Sequence, residues 1–168
     1  MLHVRLPSEK GASEMSAIRL RVTVVVEHEG KVLLIREQTQ RGIFYNLPGG
    51  IVEYLEAIPD AAKREVMEET GLLVEMERLI WIDDRIDQEG NGKHTVGVGV
   101  LAKLVGDQTT PTPGGIVDEE IEWAGWVTID EWKQLPNDHK TRPDQVKQVL
   151  SDPTYQPMYL GNMLSQAE

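Results

Sequence analysis

The chain has 168 residues, with 17 Lys+Arg against 28 Asp+Glu, a formal net charge of −11, a pI near 4.8 and no cysteine. At this length a single domain with a self-sufficient core is expected, and disulfides and thiolate metal sites are excluded. A cysteine-free chain fits a reducing compartment, so the expected location is cytoplasmic. Such an acidic chain is not expected to bind nucleic-acid polymers, which need Lys and Arg against their phosphates; a small anionic substrate would need a cation to mediate. The longest wholly apolar stretches are four or five residues, too short for a bilayer, so no membrane partner is expected. Residues 1–16 lack the apolar run of a secretory signal and read as a flexible polar lead-in.

From 18 to 26 one parity is wholly apolar (Ile18, Leu20, Val22, Val24, Val26), the pattern of a half-buried strand. Glu29-Gly30 turns the chain into a second strand over 31–37, whose Val32-Leu33-Leu34-Ile35 run suits burial on both faces, and the two form a hairpin. A helix is expected over 58–70, with Pro59 in its first turn, Asp60 at its positive end and Gly71 to stop it. A second strand pair is expected over 74–85 and 94–105; there Gly97 and Gly99 share a face, as if another backbone, a helix or a ligand came close. EIEWAGWV reads as a strand, 129–134 as a short helix and 142–150 as a closing helix opened by Pro143. Residues 17–150 are thus expected to form the domain, with 151–168 a tail packed on it or on a partner, in an α+β or α/β sandwich.

The segment from Gly50 to Leu72 carries the chemistry. On a helix Glu65, Glu68 and Glu69 fall at i, i+3 and i+4, so three carboxylates share one face. Exposed like-charge pairs at these spacings cost only about 0.2 to 0.5 kcal/mol each, so this face alone reads as a solvated acidic surface partly offset by Arg64. Its frame changes that reading. Gly50, Glu56, Arg64, Glu65, Val66, Glu68, Glu69, Gly71 and Leu72 fill every specified position of a pattern that resembles the Nudix box. The neighbouring hairpin, YNLPGG and EWAGWVTIDEW extend the resemblance over about 17–135, with one departure: Tyr54-Leu55 stands before Glu56, where Pro-Gly or Asp-Gly is common.

The resemblance implies a Nudix fold, an α/β/α sandwich of α+β class with a mixed sheet flanked by helices. It implies a hydrolase that splits the pyrophosphate linkage of a nucleoside diphosphate joined to another group, dependent on Mg²⁺ with Mn²⁺ as a substitute. Hard cations with oxygen ligands neutralise such a linkage and position water. The implied metal ligands are Glu65, Glu69 and Glu68, joined by the carbonyl of Gly49, whose missing side chain allows close approach. Arg64 would orient the acids, and Glu120, with Glu119 as its rival, would serve as general base or further ligand. Tyr45, Arg36 and Arg41 are the expected substrate contacts. Trp123, Trp126 and Trp132 read as packing residues more readily than as a base-stacking platform. Subgroup signatures for ADP-ribose, dinucleoside polyphosphate and NADH hydrolases are absent after the box, which leaves a nucleoside triphosphate, oxidised or not, as the expected substrate. ADP-ribose, nucleotide sugars and dinucleoside polyphosphates stay open, as does a non-catalytic nucleotide-sensing module. The small-molecule nucleotide is the expected partner, and a homodimer is the family's habit.

Overall fold

The alternating run after Ala17 becomes β1 (Arg19–His28), and Glu29 and Gly30, with φ of 51° and 76°, turn it into β2 (Lys31–Thr39). The structure, a computed structural model, describes residues 17–39, 42–86, 93–114, 121–136 and 142–163. The order continues with β3 (Gly42–Asn46), α1 (Ile58–Thr70), β4 (Val74–Ile86), β5 (His94–Leu104), β6 (Ile121–Val127), α2 (Ile129–Trp132), α3 (Pro143–Ser151) and β7 (Met158–Asn162). The expected α1 forms over the expected span: Pro59 sits in its first turn, Ala57 offers no side-chain cap, and Gly71 ends it left-handed at φ 68°.

Among the described residues, seven strands form one mixed sheet in the order β3-β2-β1-β5-β4-β7, with β6 pairing β2. The β1–β2 hairpin pairs only at its tip, Glu27 to Val32 and His28 to Lys31. The strands then part: β1 runs parallel to β5, while β2 lies between β3 and β6. One face buries Val22, Val24, Val26, Leu33, Val98, Val100 and Ala102 against Ala61, Ala62 and Val66 of α1. The other buries Val25, Leu34, Ile80, Trp81 and Trp132 against Val146 and Val149 of α3. Helices thus cover both faces, the α/β/α arrangement expected from the resemblance. None of the helices described is long and apolar enough to cross a membrane.

Two strands carry no sequence signal, β3 and β7. The β7 strand lies parallel to the edge of β4, secured by Arg78 Nη1 to Tyr155 O (3.0 Å), Tyr159 Oη to Asp84 Oδ2 (2.6 Å) and Met163 N to Asp84 O (2.8 Å). Gly97 and Gly99 also have a different explanation from the expected backbone, helix or ligand. Their open faces are filled by side chains of the paired strand β4: a Cβ on Gly97 would lie 2.5 Å from the Asp83 carboxylate, and one on Gly99 2.1 Å from the Trp81 ring. Missing side chains on one strand let large ones on the next lie flat.

Candidate active site

After β3 the chain runs antiparallel beside β1. Val24 N donates to Pro48 O, Val22 N to Gly50 O and Val52 N to Leu20 O, each at 2.9 Å. Gly49 has φ 146°, and a Cβ there would stand 2.2 Å from the Val22 carbonyl oxygen and 3.0 Å from Thr23 Cα. Glycine is therefore required on both conformational and steric grounds. At Gly50 the missing side chain's space holds the Glu65 carboxylate, 2.2–2.3 Å from the Cβ position. The glycine pair brings bare backbone against the acidic face of α1, which Val66 and Leu72, both fully buried, anchor to the sheet.

Glu69 is 5% exposed, and its Oε2 accepts from Gly49 N at 2.9 Å. Burial pushes its pKa up to about 8; the Gly49 hydrogen bond and the Arg21 charge act against that shift, and the charges of Glu65 and Glu37 add to it. Burial also raises the pKa of Glu65, against the Arg64 hydrogen bond. A buried carboxylate with so little compensation asks for a positive partner.

Arg64 organises the rest. Its Nε and Nη2 donate as a fork to Glu56 Oε1 and Oε2 (2.8 and 2.9 Å), its Nη1 donates to Glu65 Oε1 (2.8 Å) and Glu68 Oε2 (3.1 Å), and Nη2 also reaches Ile51 O (3.0 Å). Glu56 is therefore engaged by Arg64 and by Glu53 N (2.9 Å), and Arg64 holds its pKa low. Five donors in a fixed plane make these contacts, which lysine lacks the geometry to copy. Arg64→Lys is expected to weaken affinity for a divalent cation by about 10- to 100-fold, the usual cost of losing a ligand-orienting partner. Mn²⁺ titration by electron paramagnetic resonance checks this; unchanged affinity would contradict the orienting role.

The donor chemistry fits a hard cation. Glu65, Glu69 and the Gly49 carbonyl are oxygen donors at one end of α1, with Glu68 on the next position of the same face. Among the described residues no three acidic or histidine side chains gather tightly enough to enclose an ion unaided.

The other expected site residues fall in different places. Tyr45 packs edge-on against Trp123, ring centroids 5.7 Å apart, and Arg36 pairs with Glu122 at 3.0 Å. Both stand on the sheet face opposite to that of Leu33 and Ile35, away from Glu69. Arg41, Glu119 and Glu120 lie outside the described residues. Trp126 Nε1 donates to Thr109 O at 2.6 Å, and Trp132 is fully buried, both in packing roles. Two further groups stand beside the acids: Arg21, whose Nη2 donates to Gly49 O, and Glu37, held by Asn46 Nδ2 at 3.0 Å. Strand parity is the signal for Glu37, since it shares the face of Leu33 and Ile35.

Because the fold binds the Glu69 proton more tightly than the unfolded chain does, its contribution to stability is complete below the ordinary value of 4.5 and is lost as pH rises through about 8. Within that window the loss approaches about 1.4 kcal/mol per pH unit. The melting temperature of chelator-treated protein is expected to fall across this range and to recover on adding a divalent cation, most at the alkaline end. A level profile would contradict a protonated, buried Glu69.

The chain is similar to several known proteins. Over 118 residues the chain is 31% identical to the ADP-ribose pyrophosphatase of Methanocaldococcus jannaschii, covering 69% of this chain and 65% of that one, just under two thirds of its length. It is 31% identical over 116 residues to phosphatase NudJ of Escherichia coli K12, covering 69% and 72% of the two chains. The MutT NUDIX hydrolase structure from Burkholderia pseudomallei aligns with a TM-score of 0.62 at 33% identity, over 79% of this chain and 98% of that one. Residues 17–149 match the NUDIX domain, and the chain belongs to that family.

Proposed function

We infer that this chain is a divalent-metal-dependent pyrophosphohydrolase that splits a nucleoside diphosphate linked to another moiety, with Mg²⁺ as its ion. The observation that carries this reading is geometric: Glu69, 5% exposed, accepts from Gly49 N at 2.9 Å, and the Glu65 carboxylate on the same helix face fills the space left by Gly50. When bound, the ion supplies neutralisation of the diphosphate oxygens and a more acidic water. The chain's own residues do the remaining work. Glu65, Glu69, Glu68 and the Gly49 carbonyl bind and orient, Arg64 holds the acids in register, and the 49–50 backbone gives the reacting end a rigid wall. Glu120 is the candidate to take the proton from the attacking water, a role that Glu120→Gln tests by a loss in kcat with KM unchanged.

A nucleoside triphosphate, releasing diphosphate, is the substrate favoured by the missing subgroup signatures. ADP-ribose is a second reading, favoured by the name of the archaeal relative. A panel of nucleoside triphosphates, ADP-ribose, nucleotide sugars and dinucleoside polyphosphates, assayed with Mg²⁺ and with chelator, separates them. Diphosphate release from triphosphates supports the first reading, and AMP from ADP-ribose the second. Binding without turnover of any substrate would instead identify a nucleotide-sensing module.

A further inference from the structure

The end of α1 that carries Glu69 is closed by the segment that follows β5. A helix leaves its last carbonyls without partners, and its C-terminal end is negative. In α1 the last turn holds the Glu69 carboxylate and no basic residue. Backbone donors stand in for a basic side chain: Val105 N donates to Leu73 O (2.9 Å), Thr112 N to Thr70 O (2.8 Å) and Gly114 N to Glu69 O (3.3 Å). Residues 105–114 thus form a strap across the helix end. Glu69 is held from two directions, its carbonyl by the strap and its carboxylate by Gly49 N at 2.9 Å.

The sequence makes this strap stiff. Pro111 and Pro113 flank Thr112, so φ is fixed at both neighbours, and Thr110 and Thr112, each standing before a proline, are steered away from helical backbone. Neither proline has an N–H, and the one donor of the triplet, on Thr112, is spent on Thr70 O. Trp126 of β6 ties the strap: its indole Nε1 donates to Thr109 O at 2.6 Å. The ring is itself well seated, since Trp126 pairs with Leu33 in the sheet, packs against the core beneath α1 and lies against His28 with ring centroids 5.4 Å apart. A stiff strap tied to a seated ring carries the position of β6 to the last turn of α1.

We propose that Trp126 is a positioning residue for the reaction: through Thr109 it holds the 105–114 strap across the C-terminal end of α1, and the strap's N–H groups set the Glu69 backbone so that its carboxylate meets Gly49 N. This rests on the metal-dependent reading above. A small displacement of a group that holds the reacting centre is costly, so contacts made far from the acids' side chains bear on the reaction.

The test compares full-length wild type, Trp126→Phe, Thr112→Pro and the double variant. Trp126→Phe keeps a ring against the core and removes the donor to Thr109. Thr112→Pro, at an exposed residue, leaves Trp126 in place and removes the N–H on Thr70 O. Each is expected to weaken Mn²⁺ binding without substrate, titrated by electron paramagnetic resonance, by about tenfold, and to raise the Mg²⁺ concentration for half-maximal hydrolysis by the same factor. Lost packing alone would lower the melting temperature and leave the ion affinity of the folded chain unchanged. In the double variant the two losses are expected not to multiply, because both changes break one chain of contacts. Hydrogen exchange reads the strap with no ion added: the Thr112 amide is expected to exchange faster in Trp126→Phe than in wild type. Wild-type Mn²⁺ affinity in either folded single variant, losses that multiply in the double variant, or a Thr112 amide indifferent to Trp126→Phe overturns the positioning role. If Trp126→Phe fails to fold, Thr112→Pro decides: a tenfold loss of Mn²⁺ affinity sustains the strap, and wild-type affinity overturns it. A wild type that binds no Mn²⁺ overturns the metal-dependent function and the positioning role with it.

Discussion

Glu69→Gln is expected to lower ion-dependent hydrolysis at least about a hundredfold in kcat/KM, since partners one step removed from a metal already cost about 10- to 100-fold. The same change is expected to raise the melting temperature of the ion-free chain above pH 8. Both effects follow from one geometry. Glu69 is 5% exposed and burial pushes its pKa to about 8, so the ion-free fold favours the neutral form. Glutamine has nearly the shape of that protonated form, and its oxygen can still accept from Gly49 N, the contact Glu69 makes at 2.9 Å. What it lacks is the charge that draws the cation. A variant within tenfold of wild-type activity, measured beside its melting curve, would remove Glu69 from the ion site. A variant that is inactive only because it unfolds would contradict the burial argument.

Gly49→Ala is expected to be the most damaging small change to the fold. The new methyl would meet the Val22 carbonyl oxygen at 2.2 Å and Thr23 Cα at 3.0 Å, both backbone atoms of β1 with no freedom to give, at a φ of 146° that disfavours any side chain. Overpacking and left-handed strain each cost about 1–3 kcal/mol, out of a total stability of roughly 5–15 kcal/mol. The melting temperature should fall by roughly 10 °C. Gly30→Asn is the control: φ there is 76° but nothing lies within 4 Å of the added atom, and asparagine tolerates such turns. Equal losses from the two substitutions would show that conformation alone, without the contact with β1, accounts for the damage.

The helix and its acids were readable because each boundary is marked by a residue with one physical job. Pro59 starts α1, Gly71 ends it left-handed, and the spacing of Glu65, Glu68 and Glu69 sets one face. Strands with strict parity, such as β1, were equally visible. The edge strands β3 and β7 were not, because they join the sheet through backbone pairing while their side chains are at most half-buried, leaving no alternation to detect. The parallel union of β1 with β5 depends on topology, which local pattern does not encode. In the site the box gave the helix face, whereas Glu37 became visible only when β2 was set against it. Leu55 tells a similar story. It takes a φ of 67° at the tip where glycine is common in the resembling pattern, yet Glu56 still reaches Arg64, so the altered tip leaves that ion pair intact.

The most direct measurement is hydrolysis of the best substrate of the panel in ¹⁸O-enriched water, followed by ³¹P NMR with Mg²⁺ and with excess chelator. A metal-dependent pyrophosphohydrolase gives two phosphorus-containing products from one broken P–O–P linkage, with a single ¹⁸O incorporated into one of them, and no products with chelator. Intact substrates throughout, with Mg²⁺ or Mn²⁺ present, or turnover that persists undiminished in chelator, would contradict it.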